Sequence, residues 1–183
     1  MKAVIVGCGR VGAIIASALD AAGHEVAIVD VSTLAFERLP ETFKGNAIRG
    51  NGTDEEVLRR AGTEGSDLFL ALTEGDNRNV MSAQLAAEAF HVTRTIAKIN
   101  DPVRAEAYAE LGIATICRTT LMSDAILGYM NLPTTNTPGV RAPQGQHPGS
   151  DHEQMPGPVE SADENGYRPG DSAAARPMSA REA

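Results

Sequence analysis

The feature that most constrains the fold is a glycine-rich segment, GCGRVG at residues 7–12, which lies between an apolar run and an amphipathic stretch. The run before it, Lys2–Val6, is almost wholly apolar, as is typical of a parallel strand buried on both faces. The stretch after it, residues 10–22, carries apolar residues at helical spacing and ends before Gly23, a predicted C-terminal cap. This order of strand, G-x-G-x-x-G and helix predicts the first turn of a dinucleotide-binding fold.

Each glycine has a physical role in such a turn. Gly7 permits the tight turn, Gly9 lets the backbone approach a pyrophosphate, and Gly12 lets the helix pack closely on the strand. Asp30 ends the second predicted strand, where an acid hydrogen-bonds ribose hydroxyls. A carboxylate there repels a 2′-phosphate, which favours NAD(H) over NADP(H), but ATP or ADP would offer the same adenosine ribose. The alternative interpretation of Asp30 is a cap of the next helix.

The first 133 residues continue to alternate between strand and helix patterns. Further strands are predicted at 25–29, 47–49, 67–72, 95–99 and 114–117, and helices at 32–39, 53–61, 77–90, 102–111 and 121–130. This alternation predicts an α/β fold, a Rossmann-like doubly wound parallel sheet of about six strands. Ligands of such sheets bind at the carboxyl ends of the strands, where the loops 50–53 and 73–77 lie. Both loops also fit plain turn-and-cap sequences, with Thr53 and Asp76 as helix N-caps.

The composition changes near Pro133. Residues 134–183 hold seven of the ten prolines and few apolar residues. Such a segment cannot bury enough surface to offset its ordering entropy, so we expect a domain at 1–133 and a disordered tail at 134–183.

Composition also limits the class of protein. The net charge of −8 argues against nucleic acid as a partner, because the phosphate backbone must be neutralised by Lys and Arg. No apolar run approaches the roughly 20 residues that span a bilayer. The two cysteines show no pattern, which suggests a reducing compartment and no metal site. We therefore expect a cytoplasmic protein.

The sequence offers no recognisable catalytic group. None of Tyr108, Tyr129 and Tyr167 is followed four residues later by the Lys that short-chain dehydrogenases need. No Cys, His and Asp cluster has metal-ligand spacing. These features predict a nucleotide sensor with no catalytic residue. The alternatives are a small NAD-dependent oxidoreductase whose substrate pocket comes from a partner, and a scaffold domain with a degenerate site.

Residues 1–133 closely resemble the nucleotide-binding N-terminal domain of Trk/Ktr-type potassium-uptake regulators, the RCK or KTN domain. The resemblance rests on the order and spacing of GCGRVG (7–12), VD (29–30), GNGTDEEVLRRAG (50–62), ALTEGDNRNVMSA (71–83), AKINDP (97–102) and LGIATICRTTLMSDAI (111–126). It implies a cytosolic regulatory subunit that binds NAD(H) or ATP/ADP. It also implies that this subunit gates an integral membrane K⁺ transporter from the inner face of the plasma membrane.

The resemblance assigns residues to the nucleotide by matching position. Those implied for the phosphates are Gly7, Cys8, Gly9, Arg10 and Val11, next to Gly12, with Arg10 at the terminal phosphate. The remaining assignments are Asp30 to the ribose, Asn51, Gly52 and Thr53 to the adenosine, Thr73 and Glu74 to the cleft wall, and Lys98 to a contact from the fifth strand. From the residues alone, Lys98 would be a solvated charge at a strand end. Arg10 would be an exposed first-turn residue opposed to the helix dipole.

The last predicted helix carries an apolar face formed by Leu121, Met122, Ala125, Ile126 and Tyr129. In the family this helix crosses to a second subunit, which implies a homodimer or a larger ring. The alternative is that it covers the sheet edge of its own domain. Many family members continue into a second ligand-binding domain, where this chain has its Pro- and Gly-rich stretch, so a companion subunit is a further hypothesis.

Overall fold

The computed structural model describes residues 1–143, which form one seven-stranded sheet with helices. The strands are β1 Lys2–Val6, β2 Glu25–Asp30, β3 Asn46–Arg49, β4 Leu68–Ala71, β5 Thr95–Ile99, β6 Ala114–Cys117 and β7 Val140–Arg141. The helices are α1 Arg10–Ala21, α2 Glu55–Arg60, α3 Asp76–Glu88, α4 Pro102–Glu110 and α5 Arg118–Tyr129, together with a 3-10 helix at Thr33–Arg38.

The strand order is β3-β2-β1-β4-β5-β6-β7. Strands β1 to β6 pair in parallel, and Val4 of β1 lies opposite Ala27 of β2 and Phe69 of β4. The chain runs outward from β1 to β3 and then crosses back to β4 on the other side of β1. The direction of winding therefore reverses between β1 and β4, where open α/β sheets form their ligand crevice. The predicted doubly wound sheet is confirmed.

Strand β1 is apolar from Ala3 to Val6 because it contributes to a core on each face of the sheet. Val4 and Val6 pack with Phe69 in the core beneath α2 and α3. Ala3 and Ile5 belong to the opposite core, beneath α1. A strand between two helical layers has no solvent face, so every one of its positions favours an apolar side chain.

Helix α1 ends as the sequence predicts. Gly23 follows the C-cap residue Ala22 and has φ +80°. Its N–H donates to the Asp20 carbonyl, and the N–H of His24 donates to the Leu19 carbonyl. These two bonds form a Schellman motif, which satisfies carbonyls that the helix leaves unpaired.

Two predicted caps are wrong. Asp54, not Thr53, is the N-cap of α2, and its Oδ1 accepts from the N–H groups of Glu56 and Val57 at 2.9 and 3.4 Å. Helix α3 begins after Gly75, so Asp76 is its first helical residue instead of its cap. The Asp76 carboxylate instead accepts from the backbone N–H of Asn100, which lies beyond β5. The cap of α2 is therefore a local contact, whereas the Asp76 carboxylate is engaged by a tertiary neighbour.

The prediction of disorder from residue 134 onward is wrong for the first part of that segment. Val140–Arg141 forms β7, which pairs antiparallel with β6. The backbone N–H of Thr135 donates to Asp124 of α5 at 2.9 Å. A two-residue strand has no readable periodicity, so only its position beside β6 reveals it. The rest of the predicted tail, residues 144–183, lies outside the described residues.

Candidate nucleotide-binding site

A cleft opens at the carboxyl edge of the sheet, where β1 and β4 are neighbours. It is formed by the loops after β1, β2, β3 and β4 and by one face of α3. The residues that line it are Val6, Gly7, Gly9, Val29, Asp30, Val31, Gly50, Asn51, Gly52, Thr53, Leu72, Thr73, Glu74, Arg78 and Ser82. The structure therefore brings together both strand-end loops that the sequence left ambiguous.

The glycine loop has the geometry that its sequence predicts. Gly7 has φ +105°, and a Cβ on it would lie 2.9 Å from the backbone of Leu72. A Cβ on Gly12 would lie only 2.0 Å from the carbonyl oxygen of Gly7. The loop and α1 therefore pack too closely for any side chain at either position.

Within residues 1–143, the N-terminus of α1 has no side-chain cap, and it lies at the cleft that Gly7 and Gly9 line. Its N-cap is Gly9, and among the described residues no side chain accepts a hydrogen bond from its first turn. By contrast, the carboxylates of Asp54 and Asp101 cap α2 and α4. The free N–H groups and positive dipole end of α1 are thus available to an anion.

Asp30 joins the end of β2 to the glycine loop. Its Oδ2 accepts from the backbone N–H of Cys8 at 2.8 Å, and its Oδ1 accepts from Ser32 N–H at 2.9 Å. The N-cap of the following 3-10 helix is Ser32, so Asp30 is not that helix's N-cap. A carboxylate has about four acceptor positions, so it retains capacity for ribose hydroxyls.

The loop after β3 forms the adjoining wall. A Cβ on Gly52 would lie 2.1 Å from Cγ1 of Val6, so the backbone passes directly over the end of β1. The side chain of Asn51 accepts from Thr53 N–H at 3.1 Å and holds the turn. This close approach leaves main-chain groups at the cleft surface, beside Asp30.

The loop after β4 connects the cleft to β5 and α5. Glu74 has a side chain 78% exposed, and its carboxylate oxygens lie 3.5 Å from Lys98 Nζ and 3.8 Å from Arg118 Nη1. The Lys98 residue is only 7% exposed, so it is not the solvated strand-end charge that the bare residues suggested. Lys98 reaches the cleft wall through Glu74 and does not itself line the cleft.

Other assigned residues also lie beside the cleft and not in its lining. Gly12 packs against the loop, while Arg10 and Val11 are exposed on the first turn of α1. Cys8 has its side chain wholly buried, where its Sγ donates to the Ala35 carbonyl at 3.3 Å. Burial, reinforced by the charge of Asp30, raises the pKa of this thiol. The Cys8 side chain therefore belongs to the core, and only its backbone contributes to the loop.

Sequence reasoning missed the contribution of α3. Arg78 and Ser82 both line the cleft. Their spacing of four residues puts them on one helical face, a signal present in the sequence. That face could be chosen only once α3 was known to start at Asp76 and to pack beside the β4 end.

Two negative findings apply to the residues the structure describes. No group of three or more His, Cys, Asp or Glu side chains within residues 1–143 is placed to hold a metal ion. No helix in that same range is long and apolar enough to cross a membrane.

Comparison with solved structures supports the fold. The TrkA-N domain of the inner membrane protein ybaL from Escherichia coli has a TM-score of 0.63 at 19% identity, and the match covers 70% of this chain and 96% of that one. The GsuK channel bound to NAD has a TM-score of 0.57 at 20% identity, covering 69% of this chain and 23% of that one.

Comparison with curated sequences identifies relatives. The Trk system potassium uptake protein TrkA of Streptomyces coelicolor is 42% identical over 79% of this chain and 65% of its own length. The TrkA homolog of Pyrococcus abyssi is 33% identical over 61% of this chain and 49% of its own. The match thus spans about two thirds of the length of the first relative and about half of the length of the second.

The family model described as the TrkA-N domain matches residues 3–119. The resemblance inferred from the motifs is therefore confirmed. Since the matched segment takes up more than half of the chain, this protein belongs to the TrkA-N domain family.

Proposed function

We propose that this chain is a nucleotide-binding regulatory subunit of a Trk-type potassium uptake system. The observation that carries the proposal is the cleft itself. In one crevice it combines an uncapped helix N-terminus behind Gly7 and Gly9 with the Asp30 carboxylate. Because the relatives are named for potassium uptake, a nucleotide bound in that crevice is best explained as a regulatory signal.

The ligand is an adenine nucleotide, NAD(H) or ATP/ADP, with its phosphates at the glycine loop. The ribose lies against Asp30, and the adenosine lies beside Asn51, Gly52 and Thr53. Arg10 is exposed on the first turn of α1, where its charge opposes the helix dipole. An anionic phosphate group at this position removes that conflict, which supports a phosphate contact for Arg10.

The chain regulates and does not catalyse. The chain binds an integral membrane K⁺ transporter at the cytoplasmic face of the membrane. Nucleotide can alter transport only if it binds two conformations of the assembly with different affinity.

Helix α5 supports self-association. Within residues 1–143 its only buried residue is Thr120, while Met122, Ile126 and Tyr129 are 56%, 54% and 91% exposed. The helix therefore does not cover the edge of its own sheet, where β7 pairs with β6. A homodimer formed through this apolar face, and a larger ring built from it, is the assembly we propose.

Calorimetric titration of the full chain with NADH, NAD⁺, ATP and ADP tests the binding. Asp30→Asn should weaken binding of the preferred nucleotide by roughly 1–3 kcal/mol, because the variant loses the charge-assisted hydrogen bonds to the ribose. Glu41→Gln is the matched control, because it removes one carboxylate from an exposed loop outside the cleft lining. No binding of any of the four nucleotides to the unmodified chain would refute the proposal.

Two functional assays separate regulation from catalysis. Potassium uptake by the reconstituted transporter with its full complement of subunits should depend on the preferred nucleotide, and this dependence should be lost with Asp30→Asn but not with Glu41→Gln. NADH oxidation by the purified chain should stay at background with candidate substrates. Steady turnover of NADH would instead favour an oxidoreductase.

A further inference from the structure

Asn79 of α3 is wholly buried at the point where β4 and β5 end. Its Nδ2 donates to the carbonyl oxygens of Thr73 and Lys98 at 3.0 and 2.8 Å. Its Oδ1 accepts from the backbone N–H of Thr73 at 2.8 Å and from the Thr73 hydroxyl at 2.7 Å. One side-chain amide thus binds the ends of two neighbouring strands and uses all of its hydrogen-bonding positions.

The orientation of this amide is fixed by the backbone groups around it. Two of its neighbours are carbonyl oxygens, which can only accept, and a third is an N–H, which can only donate. Rotating the amide by half a turn would face Nδ2 with a donor and Oδ1 with two acceptors. Oδ1 must therefore lie beside the Thr73 hydroxyl.

This orientation decides how the Thr73 hydroxyl can be used. Oδ1 of Asn79 can only accept, so the single hydroxyl proton of Thr73 is committed to it. The N–H of Gly75 donates to the same hydroxyl at 3.3 Å and takes up one of its two lone pairs. Thr73 lines the cleft, so the capacity it offers a ligand is one acceptor position and no donor.

We propose that the Thr73 hydroxyl accepts a hydrogen bond from a ribose hydroxyl of the bound nucleotide, and that Asn79 is the positioning residue that imposes this polarity. The inference rests on the proposed nucleotide-binding function and adds a second ribose contact to that of Asp30. Phosphate oxygens have no hydrogen to donate, so they do not match the acceptor position that Thr73 offers. The amino group of adenine also donates, but the adenine is proposed to lie beside residues 51–53, so the ribose hydroxyls supply the donor at Thr73.

The cleft thereby presents two kinds of polar group. The N-terminus of α1 presents donors, which match phosphate oxygens. Asp30 and Thr73 present acceptors, which match ribose hydroxyls. Because β1 lies between β2 and β4, Asp30 and Thr73 present these acceptors on the two sides of the glycine loop.

The test compares Thr73→Val with Thr73→Ser in calorimetric titrations of the full chain. The ligands are ADP, 2′-deoxy-ADP, 3′-deoxy-ADP and NADH. Valine has nearly the shape of threonine but accepts nothing, whereas serine keeps the hydroxyl. We expect Thr73→Val to lower the affinity for the nucleotide that makes this bond about 3-fold to 10-fold, the usual range for one neutral hydrogen bond. Thr73→Ser should lower that affinity much less.

The deoxy analogues identify the bond. If the hydroxyl belongs to the adenosine ribose, Thr73→Val should leave one deoxy analogue unchanged, because that ligand already lacks the donor. If NADH alone loses affinity, the donor belongs to its second ribose, and the proposal also stands. Equal losses for ADP and for both analogues, or no loss for ADP and NADH alike, would overturn the proposal.

Asn79→Leu provides the readout for the positioning role. It replaces the amide by an apolar side chain of similar size, so no acceptor at residue 79 commits the Thr73 hydroxyl proton. We expect this substitution to bring the affinity for the parent nucleotide closer to the affinity for the deoxy analogue that lacks the donor, so that their ratio approaches one. A general loss of stability would not change this ratio. An unchanged ratio in a folded variant would refute this role. Failure of every nucleotide to bind the unmodified chain would instead refute the proposed function.

Discussion

Alanine at two glycines of the GCGRVG motif should separate nucleotide binding from folding. At Gly9 no atom of the described residues lies within 4 Å of an added Cβ, and its backbone angles, φ −74° and ψ −175°, suit alanine. At Gly12 the added Cβ would lie 2.0 Å from the Gly7 carbonyl oxygen, about 1 Å closer than real Cβ atoms approach any neighbour. The first substitution has room in the protein, and the second does not.

The expected magnitudes follow from these distances. Gly9→Ala should change the free energy of unfolding by less than about 1 kcal/mol, because the freedom lost by the unfolded chain offsets the lower preference for alanine at an N-cap. Its methyl group points into space that a pyrophosphate would occupy, so nucleotide binding should weaken by about 1.5–3 kcal/mol, the value of a charge-assisted hydrogen bond. Gly12→Ala should lower the free energy of unfolding by about 1–3 kcal/mol, because α1 must move away from the loop.

Urea unfolding and calorimetric titration measure the two effects on the same preparations. Gly128→Ala serves as a control, since it lies on α5 with no described atom within 4 Å of its Cβ and should bind nucleotide normally. The reasoning fails if Gly9→Ala binds nucleotide as tightly as the unmodified chain. It also fails if Gly12→Ala unfolds at the same urea concentration as the unmodified chain.

Three further predictions test other parts of the structure. Asp54→Ala should lower the free energy of unfolding by about 0.5–2 kcal/mol in urea titrations, because α2 loses its cap, whereas a larger effect from Thr53→Ala would show that the cap is misassigned. Because burial raises the pKa of the Cys8 thiol above its ordinary 9.0, the folded chain keeps this proton to higher pH than the unfolded chain. Stability should therefore fall as pH rises above about 9, and the fall should be smaller in Cys8→Ala; identical pH profiles would contradict the assignment. Ile126→Asp should dissociate the proposed homodimer in sedimentation experiments and leave nucleotide binding intact, and an unchanged sedimentation coefficient would rule out α5 as the interface.

The sequence by itself determined the features that depend on local chemistry. The positive φ of Gly7 and the close contact at Gly12 are demands that only glycine meets, so the spacing of the glycines predicted the loop. The apolar runs predicted β1, β5 and β6 with their observed bounds. The position of Asp30 at a strand end predicted its place at the cleft, because in parallel sheets all carboxyl ends meet at one edge.

Only the tertiary structure decided which polar groups meet across separate elements. Arg78 joined the cleft because α3 packs beside β4, and Lys98 became buried because β5 lies inside the sheet. The role of Asn79 depends on two carbonyl groups that are distant in sequence and come together only when β4 and β5 pair. Strand β7 formed because β6 presents an open edge, and no periodicity within two residues could indicate it. Neighbouring residues determine the local backbone conformation, whereas the order of the strands determines which distant groups become hydrogen-bond partners.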